Sequence, residues 1–243
     1  MKHRFWQIVG LVLAVCLLSG SARTNGVHRR SRTVASIRKV ARPVAVTLRN
    51  CVWSMFPYRP DRVSREQYDA LYSSGRLDYY KGVSELGRYS VIVGYCHDLK
   101  PAGALLDVGC GVGILQERLN SSNYSCYVGI DRSKEAIGRA ASRQDEKTLF
   151  VLVDVNVYLP TRKFDVIIFN ESLYHIEDPI SLVKRYENYL NDNGHFVISI
   201  CDSEKTKALW KMLDAVYPIQ DEVQIRHKSL LSWTVKVITP LKA

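Results

Sequence analysis

The sequence predicts an α/β domain: a doubly wound, mostly parallel sheet with helices on both faces. Two patterns carry that reading. Short apolar runs and helical periods alternate from about residue 104 onward, and the first run ends in a cluster of glycines that opens the next helix. Size agrees, because 243 residues with 47% hydrophobic side chains suffice for one full α/β domain and an appendage but would squeeze two domains.

Pro57 and Pro60 break the chain and Asp61 is its first acidic residue, so the folded domain is expected over 61–243. Ser64, followed by Glu66 and Gln67 and then by Tyr68, Leu71 and Tyr72, predicts a capped helix that stops near Gly75. Leu86, Tyr89, Ile92, Val93 and Cys96 keep a helical period within a second helix over 83–99. A strand follows at 104–108, a helix at 114–120 and a strand at 126–130. Ser133 caps a helix through Ala141, and strands are expected at 149–153 and 164–169. A helix over 180–190 leads to the turn Asn193-Gly194 and a strand at 195–200. A helix over 206–216 and an alternating strand at 234–238 complete the pattern.

Charge divides the chain unevenly. Of its 34 Lys and Arg, 11 lie in the first sixty residues, while all 24 Asp and Glu lie beyond them, so the folded part is nearly neutral despite an overall charge of +10. A nucleic-acid-binding domain would carry its positive charge on the folded surface, so nucleic acid is not an expected partner. The leading segment has its own character. Phe5 to Ala22 is free of charge, which suits a signal peptide or a short membrane anchor over residues 1–22. Residues 23–60 read as a basic linker or an amphipathic helix, with Val34, Ile37, Ala41, Val44 and Leu48 on one stripe and Pro43 interrupting it. Arg23, Arg29, Arg30, Arg32, Arg38, Lys39 and Arg42 outweigh Lys2 and Arg4, which orients a membrane-associated chain with its domain in the cytosol; organelle import or secretion after cleavage are the alternatives.

The six cysteines, at positions 16, 51, 96, 110, 126 and 201, form no C-x-x-C pair and stand at no metal-ligand spacing, so reduced structural thiols are expected and no metal.

The chemistry concentrates after the first strand. In Asp107-Val108-Gly109-Cys110-Gly111-Val112-Gly113, the glycines let the backbone turn tightly and let a ligand lie against main-chain amides. Asp107 beside them repels a pyrophosphate but attracts an ammonium group, and Gly-x-Gly-x-Gly differs from the Gly-x-Gly-x-x-Gly of dinucleotide sites. Asp131 ends the second strand, 22 residues after Gly109, where a carboxylate accepts both hydroxyls of a ribose; capping of the following helix is its alternative role. Asp154 and the Val155 amide follow the third strand, at a place suited to an adenine edge. Asn170 and Glu171 end the fourth, at the carboxyl edge where open α/β sheets bind ligands.

Taken in order, D-V-G-C-G-V-G, V-G-I-D, V-D-V and F-D-V-I-I-F-N-E-S-L-Y-H-I resemble the class I, Rossmann-like methyltransferases over about residues 66–240. The resemblance implies a seven-stranded sheet completed by W-T-V-K-V and S-adenosyl-L-methionine as cofactor. Gly109, Gly111 and Gly113 would line its methionine and ribose, Asp131 the ribose, Asp154 and Val155 the adenine, and Asn170 the loop under the methyl donor. An N-terminal helix would close over it, with Tyr79, Tyr80, Arg88 and Tyr89 as the available residues. Within the family the chain is similar to small-molecule methyltransferases, including nodulation-type N-methyltransferases, and methylation of an N or O atom of a small-molecule acceptor is expected. Neither the Asn/Asp-Pro-Pro-aromatic sequence nor a Pro-Cys pair marks it as a base methylase. Should a general base be needed, His175 or Glu171 is the candidate, while packing is the plainer role for His175 and Tyr174. A domain that keeps the cofactor fold without turnover, serving as a scaffold at a membrane, is the alternative function.

Overall fold

The computed structural model describes Tyr58 and residues 60–240, so most of the leader, including the expected anchor over 1–22, lies outside the described residues. Among those residues no helix is long and apolar enough to cross a membrane. Seven strands form one sheet: β1 (Gly103–Val108), β2 (Tyr124–Asp131), β3 (Thr148–Leu152), β4 (Phe164–Asn170), β5 (Leu190–Cys201), β6 (Ile219–Arg226) and β7 (Ser232–Ile238). Their order is β3-β2-β1-β4-β5-β7-β6. The first five run parallel and β7 lies antiparallel to both β5 and β6. Chain direction across the sheet reverses between β1 and β4, which opens a crevice at their carboxyl ends.

Among the described residues six α-helices cover the sheet: α1 (Arg65–Ser73), α2 (Val83–Leu99), α3 (Ile114–Arg118), α4 (Lys134–Ala140), α5 (Pro179–Glu187) and α6 (Glu204–Val216). Their starts are written locally. Ser64 and Gln67 form a reciprocal capping box on α1, Ser133 accepts from the Ala136 amide, and Asp178 caps α5 just before Pro179 at its first position. Because helices lie on both faces, neighbouring strand residues are buried on opposite sides. Leu106, Ile130, Ile167 and Ile198 pack beneath Leu182, Tyr186 and Leu209, whereas Leu105, Tyr127, Ile168 and Val235 pack beneath Ile92, Ile114 and Ile137.

Two elements differ from the sequence reading. β6 was not expected, because Ile-Gln-Asp-Glu-Val-Gln-Ile-Arg is an exposed edge strand whose polar middle shows little alternation; it exists through its pairing with β7. β5 begins at Leu190 rather than after Asn193-Gly194. The turn remains inside it as an irregularity in which Asn193 takes φ of 58° and the register against β4 shifts. Cys96, Cys110, Cys126 and Cys201 are free thiols.

Candidate active site

A cleft opens over the reversal point, at the carboxyl ends of β1, β2 and β4. Its floor is the glycine turn after β1. Gly109 and Gly111 take φ of 83° and 54°, a left-handed conformation that side chains disfavour. Space is equally decisive: a Cβ at Gly109 would stand 2.5 Å from Ser172 Cβ, and one at Gly111 would stand 2.6 Å from Tyr72 Oη. The turn is thus clamped between the loop after β4 and helix α1. Ser172 strengthens the clamp by donating its hydroxyl to the Val108 carbonyl at 2.5 Å.

Asp131 faces this turn from the end of β2. One carboxylate oxygen accepts the Gly111 amide at 2.9 Å and the other accepts the Ser133 amide at 2.8 Å, while Ser133 itself caps α4. Burial raises its pKa, against the backbone amides that favour the charged form. Each oxygen retains a further lone-pair direction, so the group both fixes the turn and presents acceptors to the cleft.

Asp107 lies lower. It is buried, it takes the Tyr127 hydroxyl on Oδ2 at 2.6 Å, and its Oδ1 has no hydrogen-bond partner. Burial pushes its pKa up to about 7. Neither Asp107 nor Gly113 belongs to the cleft wall; Gly113 instead packs against Arg143 and Phe150 as α3 begins.

On the other side stand the residues after β4. Asn170 Oδ1 accepts from Arg88, which is itself buried, paired with Glu85 at 2.9 Å, and stacked over the Tyr89 ring at 4.4 Å. Glu171 takes φ of 56°, a conformation that costs about 1–3 kcal/mol in a residue of this kind and concentrates at functional sites. Its carboxylate accepts the Ser199 hydroxyl and the Cys201 amide, each at 3.1 Å, and the Tyr174 hydroxyl at 3.3 Å. Burial raises its pKa to about 7. His175 places Nδ1 3.2 Å from the Asp61 carbonyl oxygen, and burial lowers its pKa. A carbonyl oxygen only accepts, so Nδ1 carries the hydrogen and Nε2 keeps a free lone pair.

The roof comes from α1 and the start of α2. Tyr68 and Tyr72, one helical turn apart, face the cleft with Tyr80, Arg88 and Tyr89. Asp69 straps α1 to α4 by accepting the Ser133 hydroxyl at 2.6 Å and the Glu135 amide at 3.1 Å. Asp154 and Val155 form the far wall, where Asp154 Oδ1 accepts the Asn156 amide and the Val155 carbonyl accepts from Tyr186.

Of the residues expected from sequence, the cleft therefore unites Tyr80, Arg88, Gly109, Gly111, Asp131, Asp154, Val155, Asn170, Glu171 and His175. Tyr79 stays outside, over half exposed and stacked on Tyr80. Tyr68, Tyr72, Arg132 and Ser172 are additional wall residues. The i, i+4 spacing of the two tyrosines was the available signal for them; Ser172 and Arg132 carried none.

A family model described as a methyltransferase domain matches residues 84–235, more than half of the chain. The chain belongs to this methyltransferase family. Among curated relatives, phosphoethanolamine N-methyltransferase 1 of Arabidopsis thaliana is 32% identical over 114 residues, 45% of this chain and 23% of that protein. Ubiquinone biosynthesis O-methyltransferase of Actinobacillus pleuropneumoniae is 27% identical over 146 residues, 53% of this chain and 62% of that protein. The chain thus spans less than two thirds of either relative. Its fold is similar to that of the N-methyltransferase NodS from Bradyrhizobium japonicum, solved with S-adenosyl-L-homocysteine, with a TM-score of 0.61, 19% identity, and coverage of 73% of this chain and 98% of that one. It is likewise similar to a 1,6-didemethyltoxoflavin-N1-methyltransferase from Burkholderia thailandensis, with a TM-score of 0.59, 19% identity, and coverage of 74% and 92%.

The family's cofactor is S-adenosyl-L-methionine, and the site's donors and acceptors fit it. A bare glycine cradle admits a ligand against the backbone, Asp131 offers paired acceptors to a diol, and Arg88 offers a buried cation to a carboxylate. Asp107 leaves one buried oxygen unpartnered beneath the turn, an acceptor for a cationic ligand, which would favour its charged form against the burial that raises its pKa.

Proposed function

We propose that this methyltransferase transfers a methyl group from S-adenosyl-L-methionine to an N or O atom of a small molecule. The observation that carries the reading is the convergence, in one cleft, of Asp131 on the glycine turn with Asn170, Glu171 and His175 after β4. When bound, the cofactor supplies a methyl carbon activated by a sulfonium. What the protein adds is alignment and exclusion of water. Asp131, Asp154, Val155 and Arg88 hold the donor side, and the tyrosines of α1 and α2 close the acceptor side. A cleft roofed in this way suits a small acceptor better than a polymer strand.

His175 is the better placed of the two candidate bases. Its Nε2 is unprotonated, its pKa is lowered so that it is neutral at pH 7, and it lines the cleft. Glu171 already has both oxygens engaged and acts as the post that fixes the loop carrying His175. Calorimetric titration with S-adenosylhomocysteine and with NAD tests the donor assignment: the first binds and the second does not, and the reverse result would falsify it. Incubation with methyl-labelled cofactor and a metabolite extract then identifies the acceptor; label recovered only in macromolecules rejects a small-molecule substrate.

We further propose that residues 1–60 associate with a membrane and leave the domain in the cytosol, on the strength of the charge-free run and the basic residues after it. Removing residues 1–57 should release the protein to the soluble fraction while its far-ultraviolet circular dichroism keeps the α/β signature. Unchanged fractionation rejects the anchor.

A further inference from the structure

Apolar side chains left in water gather beside the mouth of the cleft. Val83 and Leu86 stand one turn apart at the start of α2, 81% and 44% exposed, and Tyr79 just before them is 54% exposed. The turn between β6 and β7 adds Leu230 and Leu231, at 89% and 41%. Leu230 takes φ of 69°, so an aliphatic side chain occupies a left-handed position that asparagine or glycine would fill without strain.

The two groups stand at one level. Tyr95 Oη donates to Asp221 Oδ2 at 2.8 Å, and a Cβ on Gly87 would lie 3.1 Å from Ile225 Cγ2. Eight residues of α2, about 12 Å, therefore match four residues of β6, about 13 Å. One more helical turn brings Val83 level with His227, where the hairpin closes through its amide to the Leu231 carbonyl at 2.8 Å. Tyr80, stacked on Tyr79, joins this rim to the cleft wall.

We propose that this rim, formed by Tyr79, Val83, Leu86, Leu230 and Leu231, is a docking face for an anionic lipid bilayer. Charge favours that occupant. Exposed Lys81, Arg226 and Lys228 flank the aliphatic tips. The two segments contain a single acid, Glu85, which is buried against Arg88. Exposed Asp78, paired with Arg139 at 3.6 Å, and Asp202 border the face, but within it three cations flank aliphatic tips, a composition that binds at a lipid headgroup boundary. The path of the chain points the same way. Tyr58 donates to the Tyr174 carbonyl at 2.5 Å and Asp61 pairs with Lys205 at 3.3 Å, so Tyr58 and Asp61 lie on the carboxyl edge of the sheet that bears the rim. A bilayer seated there lies beside the cleft mouth. This inference is independent of the methyl acceptor's identity, because it is read from binding alone.

Hydrogen exchange measured by mass spectrometry tests it on the full chain, with vesicles of phosphatidylcholine and phosphatidylserine, with vesicles of phosphatidylcholine alone, and in buffer. On the anionic vesicles, amides of residues 79–86 and 226–231 should exchange several-fold more slowly than in buffer, while residues 216–221 at the opposite edge stay unchanged. Val83→Asp with Leu230→Asp should remove that protection. Both changes suit the fold, since an acid is favoured in a helix's first turn and aspartate tolerates a positive φ better than leucine. Protection confined to the leader, equal protection on neutral vesicles, protection unaltered in the double variant, or the same protection produced without lipid by a higher protein concentration would each overturn the proposal. The last of these would assign the rim to a second copy of the chain.

Discussion

Two half-buried carboxylates line the cleft, and they are held in opposite ways. Asp131 is tied to its own surroundings in sequence, accepting amides from Gly111 and Ser133 within the β1–β2–α4 stretch. Glu171 is tied across the sheet, to Ser199 and Cys201 on β5, and bends its own backbone to φ of 56° to reach them. The difference teaches how the site divides. The side at the glycine turn is assembled from short motifs that carry their geometry with them, and the side after β4 depends on strands and helices brought together by the fold.

The largest expected effect probes Glu171. Its folded pKa of about 7 lies above the ordinary carboxyl value, so its contribution to stability is fully present at acidic pH and is lost as pH rises toward 7. A shift of this size corresponds to about 3 kcal/mol. Urea unfolding at pH 4.5 and at pH 7 should show Glu171→Gln losing less stability over that interval than the parent chain; parallel profiles would mean that burial does not hold the Glu171 carboxyl in its neutral form.

Next comes His175→Asn, expected to lower kcat about a hundredfold and to abolish the acid limb of its pH profile. That limb should lie below the ordinary histidine value, because burial disfavours the imidazolium. Loss of rate with the limb retained would assign His175 a packing role beside Tyr174 and Tyr68.

Asp131→Ala should weaken S-adenosylhomocysteine binding by about 1–3 kcal/mol in a calorimetric titration, since it removes charged acceptors and frees the glycine turn. Unchanged affinity would break the comparison on the side of the glycine turn. The smallest effect is expected from Ser64→Ala, which removes half of the capping box on α1 and should cost about 1 kcal/mol of stability by chemical denaturation. Cofactor affinity should fall less than stability does, because Asp69 still straps α1 to α4.

The same division explains what could be read in advance. Glycine spacing, an acid at the end of a strand and serines ahead of helices act within a few residues, so the turn at Gly109 and Gly111, the position of Asp131 and the caps at Ser64 and Ser133 were legible. Position in the chain points to Arg88 and Glu171 but not to most of their partners: Glu85 stands three residues before Arg88 on α2, whereas Asn170, Ser199 and Cys201 meet Arg88 and Glu171 only after folding. β6 is illegible in the sequence for a related reason: an edge strand needs little apolar alternation once a neighbour supplies its hydrogen bonds.

By itself the sequence determined the alternation of strands and helices, the glycine cradle, and the residue types gathered at the carboxyl ends of the strands. Tertiary structure alone decided that Tyr68 and Tyr72 roof the cleft while Tyr79 faces water, and that Asp107 lies beneath the turn on Tyr127 rather than in the wall. The physical reason is range. Backbone conformation and capping answer to neighbours along the chain, whereas burial, and with it the charge a carboxylate keeps, answers to whatever the fold packs around it.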